Sequence, residues 1–312
     1  MRRLVTFLIW AIIALLLVAI TAYLLARSGL KDMDQSARTE LGGDYLETPR
    51  GILSYSRLGD EKAPAIILVH GFSTPKFVWD QITPELLKAG YQVIAYDHFG
   101  RGFSDRPEGP YNAGLYRDEL SSLISGLQLT TPLALVGYSM GGANVVDYAA
   151  THPDQIKQLV LIAPAGYMGA TDYASVLLAP GVGEWLFTVF GPYYAHSSIK
   201  AEVDAERAPG NMLTLFDAQA GYKGYSDALL STLRHYPMGD FGDRYRALGA
   251  TNIPVTAIWG TADSIVPYTG AALMADAVPQ MELITLENGN HNITFGQPAA
   301  VADALLKALK TP

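Results

Sequence analysis

The run Leu133-Ala134-Leu135-Val136-Gly137-Tyr138-Ser139-Met140-Gly141-Gly142 is followed at once by a helix-like stretch, Ala143 to Ala150. An apolar segment of strand length thus delivers a serine into the pattern G-x-S-x-G. A strand that turns straight into a helix strains the backbone at the corner and crowds it with neighbours two residues away. Gly137 and Gly141 have no Cβ, so the clash is removed and the Ser139 hydroxyl can project from the sheet edge. The five-residue pattern alone is weak; the strand before it and the helix after it supply the context it requires. The bland alternative is a structural glycine turn carrying an idle serine.

Other buried-looking runs share the character of that strand. Ala65 to Val69, Val93 to Tyr96 and Leu159 to Ala163 are continuously apolar rather than alternating, as expected of parallel strands covered on both faces. Shorter strands are predicted at 45–47 and 52–57, and later ones at 255–259 and 281–286. Helical periodicity falls between them, at Phe77 to Ala89, Leu115 to Leu127, Thr269 to Ala277 and Pro298 to Leu309. This alternation predicts an α/β chain with a doubly wound, mostly parallel sheet.

The rhythm fails between 165 and 247, a stretch rich in Tyr, Phe, Gly and Pro. Too long for an ordinary connection, it is expected to form an inserted cap over the carboxyl edge of the sheet. Ten aromatic residues from Tyr167 to Tyr225 would line an apolar pocket or form the cap's own core. The core is then divided into a first part, 45–164, and a second part, 248–312.

The amino end is different. Leu4 to Ala26 carries no charge, and 23 residues rise about 34 Å as a helix, enough for a hydrocarbon core of about 30 Å. Trp10 and Tyr23 lie toward the two ends, where amphipathic rings favour the interface. Residues 1–26 are read as one transmembrane helix and 27–44 as a polar tether. Arg2 and Arg3 before the run favour the amino end inside and the catalytic body on the extracytoplasmic side, although Arg27 and Lys31 follow it. A cleaved signal peptide is the competing reading; the apolar run is longer than such a segment needs, and Ala26-Arg27-Ser28 matches a cleavage site poorly.

Composition excludes several classes of function. The chain has no cysteine, so disulfides, thiolate zinc sites and a cysteine nucleophile are absent. A net charge of −8 without a basic block argues against nucleic-acid binding.

A serine hydroxyl needs a base within hydrogen-bond reach. Among six histidines, His291 follows a predicted strand and lies in a loop at the sheet's carboxyl edge, where open α/β sheets place their sites. His70 also ends a strand, His152 sits at a helix end, and His98, His196 and His235 fall in loops or the cap. The base needs an acid to fix its tautomer. Asp263, one strand–helix unit before His291, reaches the same edge; Asp172 is the fallback, and Asp263 would otherwise be a turn aspartate.

At this point the chain resembles the α/β-hydrolase superfamily over roughly residues 45–312. The order Ser139, Asp263, His291 matches the family's order of nucleophile, acid and histidine. His70-Gly71-Phe72 resembles its H-G oxyanion segment, and Asp97-His98-Phe99-Gly100-Arg101-Gly102-Phe103-Ser104-Asp105 its D-x-x-G-x-G-x-S loop, a structural feature there. The resemblance implies the backbone N–H groups of Phe72 and Met140 as oxyanion donors, with no metal or organic cofactor. It further implies a serine hydrolase acting on carboxylic esters with an apolar acyl or alkyl part, a small ester or lipid-like molecule. Members with an aspartate nucleophile are excluded by Ser139. Three alternatives stay open: a meta-cleavage C–C hydrolase, a perhydrolase and a catalytically silent binding protein. Phe72-Ser73-Thr74-Pro75 and Tyr138 depart from the Gly-rich segment and the Asn that C–C hydrolases often carry.

Overall fold

The continuous apolar runs become the centre of one eight-stranded sheet. The computed structural model describes residues 1–169 and 175–310. Its strands are β1 (Asp44–Thr48), β2 (Gly51–Leu58), β3 (Ala65–Val69), β4 (Gln92–Tyr96), β5 (Leu133–Tyr138), β6 (Ile156–Ile162), β7 (Val255–Gly260) and β8 (Met281–Leu286). They lie in the order β1-β2-β4-β3-β5-β6-β7-β8. Strands β3 to β8 are parallel, whereas β2 runs antiparallel to β1 and to β4. The doubly wound, mostly parallel sheet expected from the alternation is the one that forms.

The chain leaves β3, lays β4 on one side, then crosses back to place β5 on the other. That reversal opens a crevice at the carboxyl ends of β3 and β5. Val69 is level with Gly137, so the segments that follow, 70–72 and 138–140, emerge side by side. At the other pair Gly260 is level with Leu286, and the loops bearing Asp263 and His291 leave the same edge.

Two helices precede the sheet, α1 (Arg2–Ser28) and α2 (Gln35–Leu41). Helix α1 is long and apolar enough to cross a membrane, and none of its residues is buried. Residues 27–44, expected as a tether, are held against the body. Lys31 exchanges backbone hydrogen bonds with Gly221 and Lys223, and the buried Arg38 of α2 pairs with Asp105.

The core helices follow from the amphipathic patterns: α3 (Thr83–Lys88), α4 (Ala113–Gly126) and α5 (Met140–Thr151). The single helix expected at 77–89 is instead a 3-10 turn, Lys76–Trp79, and then α3. Pro84 has no N–H for the carbonyl of residue 80 and its ring would clash there, so the helix restarts with Pro84 in its first turn. Residues 140–149 of α5 are all buried; most are apolar or glycine, and the buried Asp147 is paired with Arg117 and Arg244.

Beyond β6 come five helices, α6 (Ser175–Leu178), α7 (Val182–Val189), α8 (Gly191–Asp204), α9 (Met212–Ala220) and α10 (Tyr225–His235). Helix α11 (Gly242–Gly249), which straddles the expected boundary between cap and core at 247, packs against α5 and against α12 (Gly270–Ala277). A short α13 (Ile293–Gly296) and α14 (Pro298–Lys310) close the chain, and α14 packs with α3, β6 and β7. Of the cap aromatics, Phe216 and Tyr225 form a separate buried cluster touched by Phe72 and Phe187, while Phe190, Tyr193 and Tyr194 are exposed. Tyr173 lies outside the described residues.

The first turn of α5 lies against the end of β3 without room for a side chain. A Cβ on Gly141 would lie well inside contact distance of the carbonyl oxygens of Val69 and His70. Both are backbone atoms of a central strand and its first loop residue, so neither can swing away. Gly141→Ala is therefore expected to cost about 2–4 kcal/mol of stability, measured by denaturant unfolding. A loss below about 0.5 kcal/mol would show that the packing at this corner is loose.

Candidate active site

Ser139 occupies the corner between β5 and α5 with φ +56° and ψ −121°, a conformation that non-glycine residues rarely adopt. Four backbone bonds hold it there, the longest from the Ala143 N–H to its carbonyl (3.4 Å). Its N–H donates to the Ile162 carbonyl (2.9 Å), and its carbonyl accepts from Gly142 (2.9 Å) and Ala165 (3.0 Å). The strained corner turns the side chain out of the sheet toward the loop after β8.

In that loop His291 Nε2 lies 3.0 Å from Ser139 Oγ, and its Nδ1 lies 2.8 Å from Asp263 Oδ2. The Asp263 carboxylate is fully buried and the imidazole nearly so. The other oxygen, Oδ1, accepts from the N–H groups of Ile265 (3.0 Å) and Val266 (2.8 Å), which fixes the carboxylate's plane. With Nδ1–H donating to Asp263, Nε2 is left as the acceptor for the serine hydroxyl. The Tyr138 ring stacks on His291 at 5.2 Å, and its hydroxyl donates to the His291 carbonyl (3.0 Å). Burial, and secondarily the Asp263 charge, pushes the Tyr138 hydroxyl well above its ordinary pKa, so it remains a donor. A hydroxyl bonded to an imidazole, itself oriented by a buried carboxylate, is the arrangement that activates a weak nucleophile.

The expected oxyanion donors sit at the adjoining strand end. The backbone N–H groups of Phe72 and Met140 have no acceptor among the described residues. A Cβ on Gly71 would come within 3.1 Å of the Ser139 Cβ, so glycine is what lets this loop approach the serine.

Beneath the loop lies a buried polar network that the sequence reading missed. His70 Nδ1–H donates to the Gly71 carbonyl (2.8 Å), while Nε2 accepts from the His98 N–H (2.9 Å). Its two ring nitrogens are thus committed to opposite roles, and the ring is neutral. Burial first, then the neighbouring His98, holds its pKa well below the ordinary histidine value. His98 donates from Nε2 to the His70 carbonyl (3.0 Å) and pairs through Nδ1 with the fully buried Glu119, which also accepts from the Phe99 N–H. Buried Arg101 donates to the Phe72 carbonyl (2.9 Å), to the Tyr116 hydroxyl (2.8 Å) and to Thr232 of α10 (2.7 Å). One signal was available: Leu115, Tyr116, Glu119, Leu120 and Leu123 form the buried stripe of α4, with a carboxylate in its middle.

The remaining sequence candidates separate from the site. His152 stacks on Tyr148 at 4.5 Å, His196 pairs with Asp217 on the surface, and His235 ends α10. Asp172 lies outside the described residues. No group of three His, Asp or Glu side chains that could hold a metal occurs among the described residues.

Between the sheet's carboxyl edge and helices α6 to α10 is a largely apolar cavity of about 780 Å³. Phe72, Ile265 and Asn292 line it from the loops after the strands, the last two beside Asp263 and His291 in the chain, while Phe187, Phe216 and Leu229 line it from α7, α9 and α10.

A family model for the alpha/beta hydrolase fold matches residues 64–298. Lipase 1 of Psychrobacter immobilis is 27% identical over 274 residues, covering 83% of this chain and 79% of the lipase. Among solved structures, bromoperoxidase from Bacillus anthracis superposes with a TM-score of 0.72 at 24% identity, covering 86% of this chain and 100% of that one. The enol-lactonase from Burkholderia xenovorans LB400 gives 0.73 at 20% identity, covering 85% and 99%. At these identities the solved structures speak for the fold alone.

The depressed His70 pKa has a consequence for acid stability. The folded state binds a proton at His70 less readily than the unfolded chain, whose histidine titrates near 6.5. This contribution is present in full above about pH 6.5 and is lost as the pH falls toward the folded-state value. Unfolding free energy should therefore drop between about pH 6.5 and 5. His70→Gln, which keeps a donor and an acceptor but cannot titrate, should flatten that drop in denaturant titrations run at each pH. An unchanged slope would show that other groups carry the acid sensitivity.

Proposed function

The chain belongs to the α/β-hydrolase fold family, a hydrolase on that ground, and from this premise we propose that it is a membrane-anchored serine hydrolase cleaving carboxylic esters. The observation that carries the reading is the hydrogen-bonded series Asp263, His291, Ser139 at the carboxyl edge of the sheet. Ser139 Oγ attacks the ester carbonyl carbon as His291 Nε2 takes its proton. The tetrahedral oxyanion is held by the N–H groups of Phe72 and Met140, which need no reorganisation because strand ends fix them. The imidazolium, stabilised by Asp263, returns the proton to the leaving alcohol and an acyl-enzyme remains. Water, deprotonated by the same imidazole, attacks that ester, and Ser139 leaves with the proton.

The apolar cavity supports an apolar acyl or alkyl group as the part recognised, and the likeness to a protein named a lipase points the same way. Helix α1 is assigned as a single membrane span, with its amino end inside and the hydrolase body on the extracytoplasmic side. The division into anchor, connecting segment, two-part core and inserted cap is part of the same proposal.

Turnover of p-nitrophenyl esters of graded chain length tests the reading, run beside a meta-cleavage substrate for C–C hydrolysis. Ester turnover should rise with acyl length before falling. Ser139→Ala and His291→Ala should each lower kcat by at least about 10⁴-fold, and Asp263→Asn by about 10³–10⁴-fold. Losses in double variants should fall far short of additive, because the residues act as one unit. Near-wild-type rates in Asp263→Asn would overturn the acid assignment. Cleavage of the C–C substrate alone would replace the ester reading.

A further inference from the structure

The cap has one face without water-seeking side chains. Residues 175–195 contain a single charged residue, Glu184, in a stretch otherwise made of aliphatic, aromatic and small residues with one serine and one threonine. Val176, Leu177, Val182, Phe190, Tyr193 and Tyr194 are exposed there. The polar groups beneath are satisfied from within. Arg234 donates to the carbonyls of Leu178 (3.0 Å) and Ala179 (3.2 Å) and to the Glu184 carboxylate (2.5 Å), and that carboxylate also accepts the Gly181 N–H (2.6 Å). A face of this kind loses little when water is removed from it.

The position of α1 decides what covers that face. Helix residues up to Val18 are all exposed, whereas Ala19, Ala22, Tyr23, Ala26 and Arg27 form one half-buried stripe. Helix α1 packs against α7 along this stripe. The indole N–H of Trp185 donates to the Ala19 carbonyl (2.8 Å), and Arg27 pairs with Asp227 at 3.6 Å. The uncontacted apolar stretch from Leu4 to Val18 rises only about 22 Å, short of a hydrocarbon core of about 30 Å. A span must therefore run on to about Tyr23, which takes the Trp185 contact inside the boundary of the bilayer.

We propose that α6, α7 and the start of α8 are seated in the bilayer beside α1, and that the apolar cavity is filled laterally with membrane-resident acyl esters. Phe190 and Tyr194 both line the cavity and reach the surface on this face, so the mouth opens toward lipid. The proposal rests on the membrane-spanning reading of α1 and adds to it a route for the substrate.

Because the chain has no cysteine, single nitroxide labels can be placed at will. Full-length protein in phosphatidylcholine vesicles would carry a label at Val182→Cys or Tyr193→Cys, neither of which lines the cavity. Leu15→Cys is the reference for the anchor and Asp118→Cys the reference for water. Collision with oxygen should dominate at 182, 193 and 15, and collision with a water-soluble nickel chelate at 118. Water-like labels at 182 and 193 beside a lipid-like label at 15 would overturn the seating of the cap and leave the anchor intact. A water-like label at 15 would overturn both. Labels at 182 and 193 shielded from both reagents would overturn the proposal in favour of a second copy or another protein on this face. In activity assays, Val182→Asp with Tyr193→Asp should lower turnover of a vesicle-resident long-chain ester about tenfold, and leave a dissolved short-chain ester unaffected. Equal losses on both substrates would contradict lateral entry.

Discussion

The close approach of two parallel strand ends governs this molecule. Strands β3 and β5 lie in register, and each ends in a glycine-containing turn that brings backbone to backbone. Gly141 is pressed on the carbonyls of Val69 and His70, and Gly71 on Ser139. Any side chain at 141 would push α5 away from β3, and one at 71 would crowd Ser139. From that contact follow the strained backbone of Ser139 and the presentation of its hydroxyl to His291.

Such a corner has to be held. The structure does so with buried polar groups rather than with apolar packing alone. His70 ties the loop after β3 to the loop after β4, the His98–Glu119 pair takes up the His70 carbonyl, and Arg101 joins the Phe72 carbonyl to Thr232 of α10. Buried networks are costly unless every member is satisfied, and here most lone pairs and donors are accounted for. The side chains serve position: they fix the loop at 70–72, which approaches the serine. Arg101 also links the loop at 70–72 to α10, so a shift of α10 would be felt at Phe72.

Much of this was legible in the sequence because it rests on short-range rules. The central strands announced themselves as unbroken apolar runs, and the glycines around Ser139 as the price of a sharp turn. Asp263 and His291 were readable because each follows a strand, and parallel strands deliver their loops to one edge. Three things were not legible. The break at Pro84 was obscured by a helical pattern that continued past it. The expected boundary between cap and core, at 247, cuts through α11, because an irregular stretch carries no signal that Tyr245 and Leu248 on one helix both enter the main buried cluster. The His98–Glu119 pair and the Trp185–Ala19 bond join residues from elements that only the tertiary fold brings together, and no local pattern encodes such a meeting.

The proposed chemistry requires Ser139 to be an activated nucleophile. Full-length protein in vesicles, treated with an alkyl fluorophosphonate and digested, should carry one phosphonyl adduct, on the peptide containing Ser139. His291→Ala should slow that labelling by at least about 10³-fold while the protein remains folded. A folded wild-type protein that takes no label, or takes it on another residue, would contradict the account.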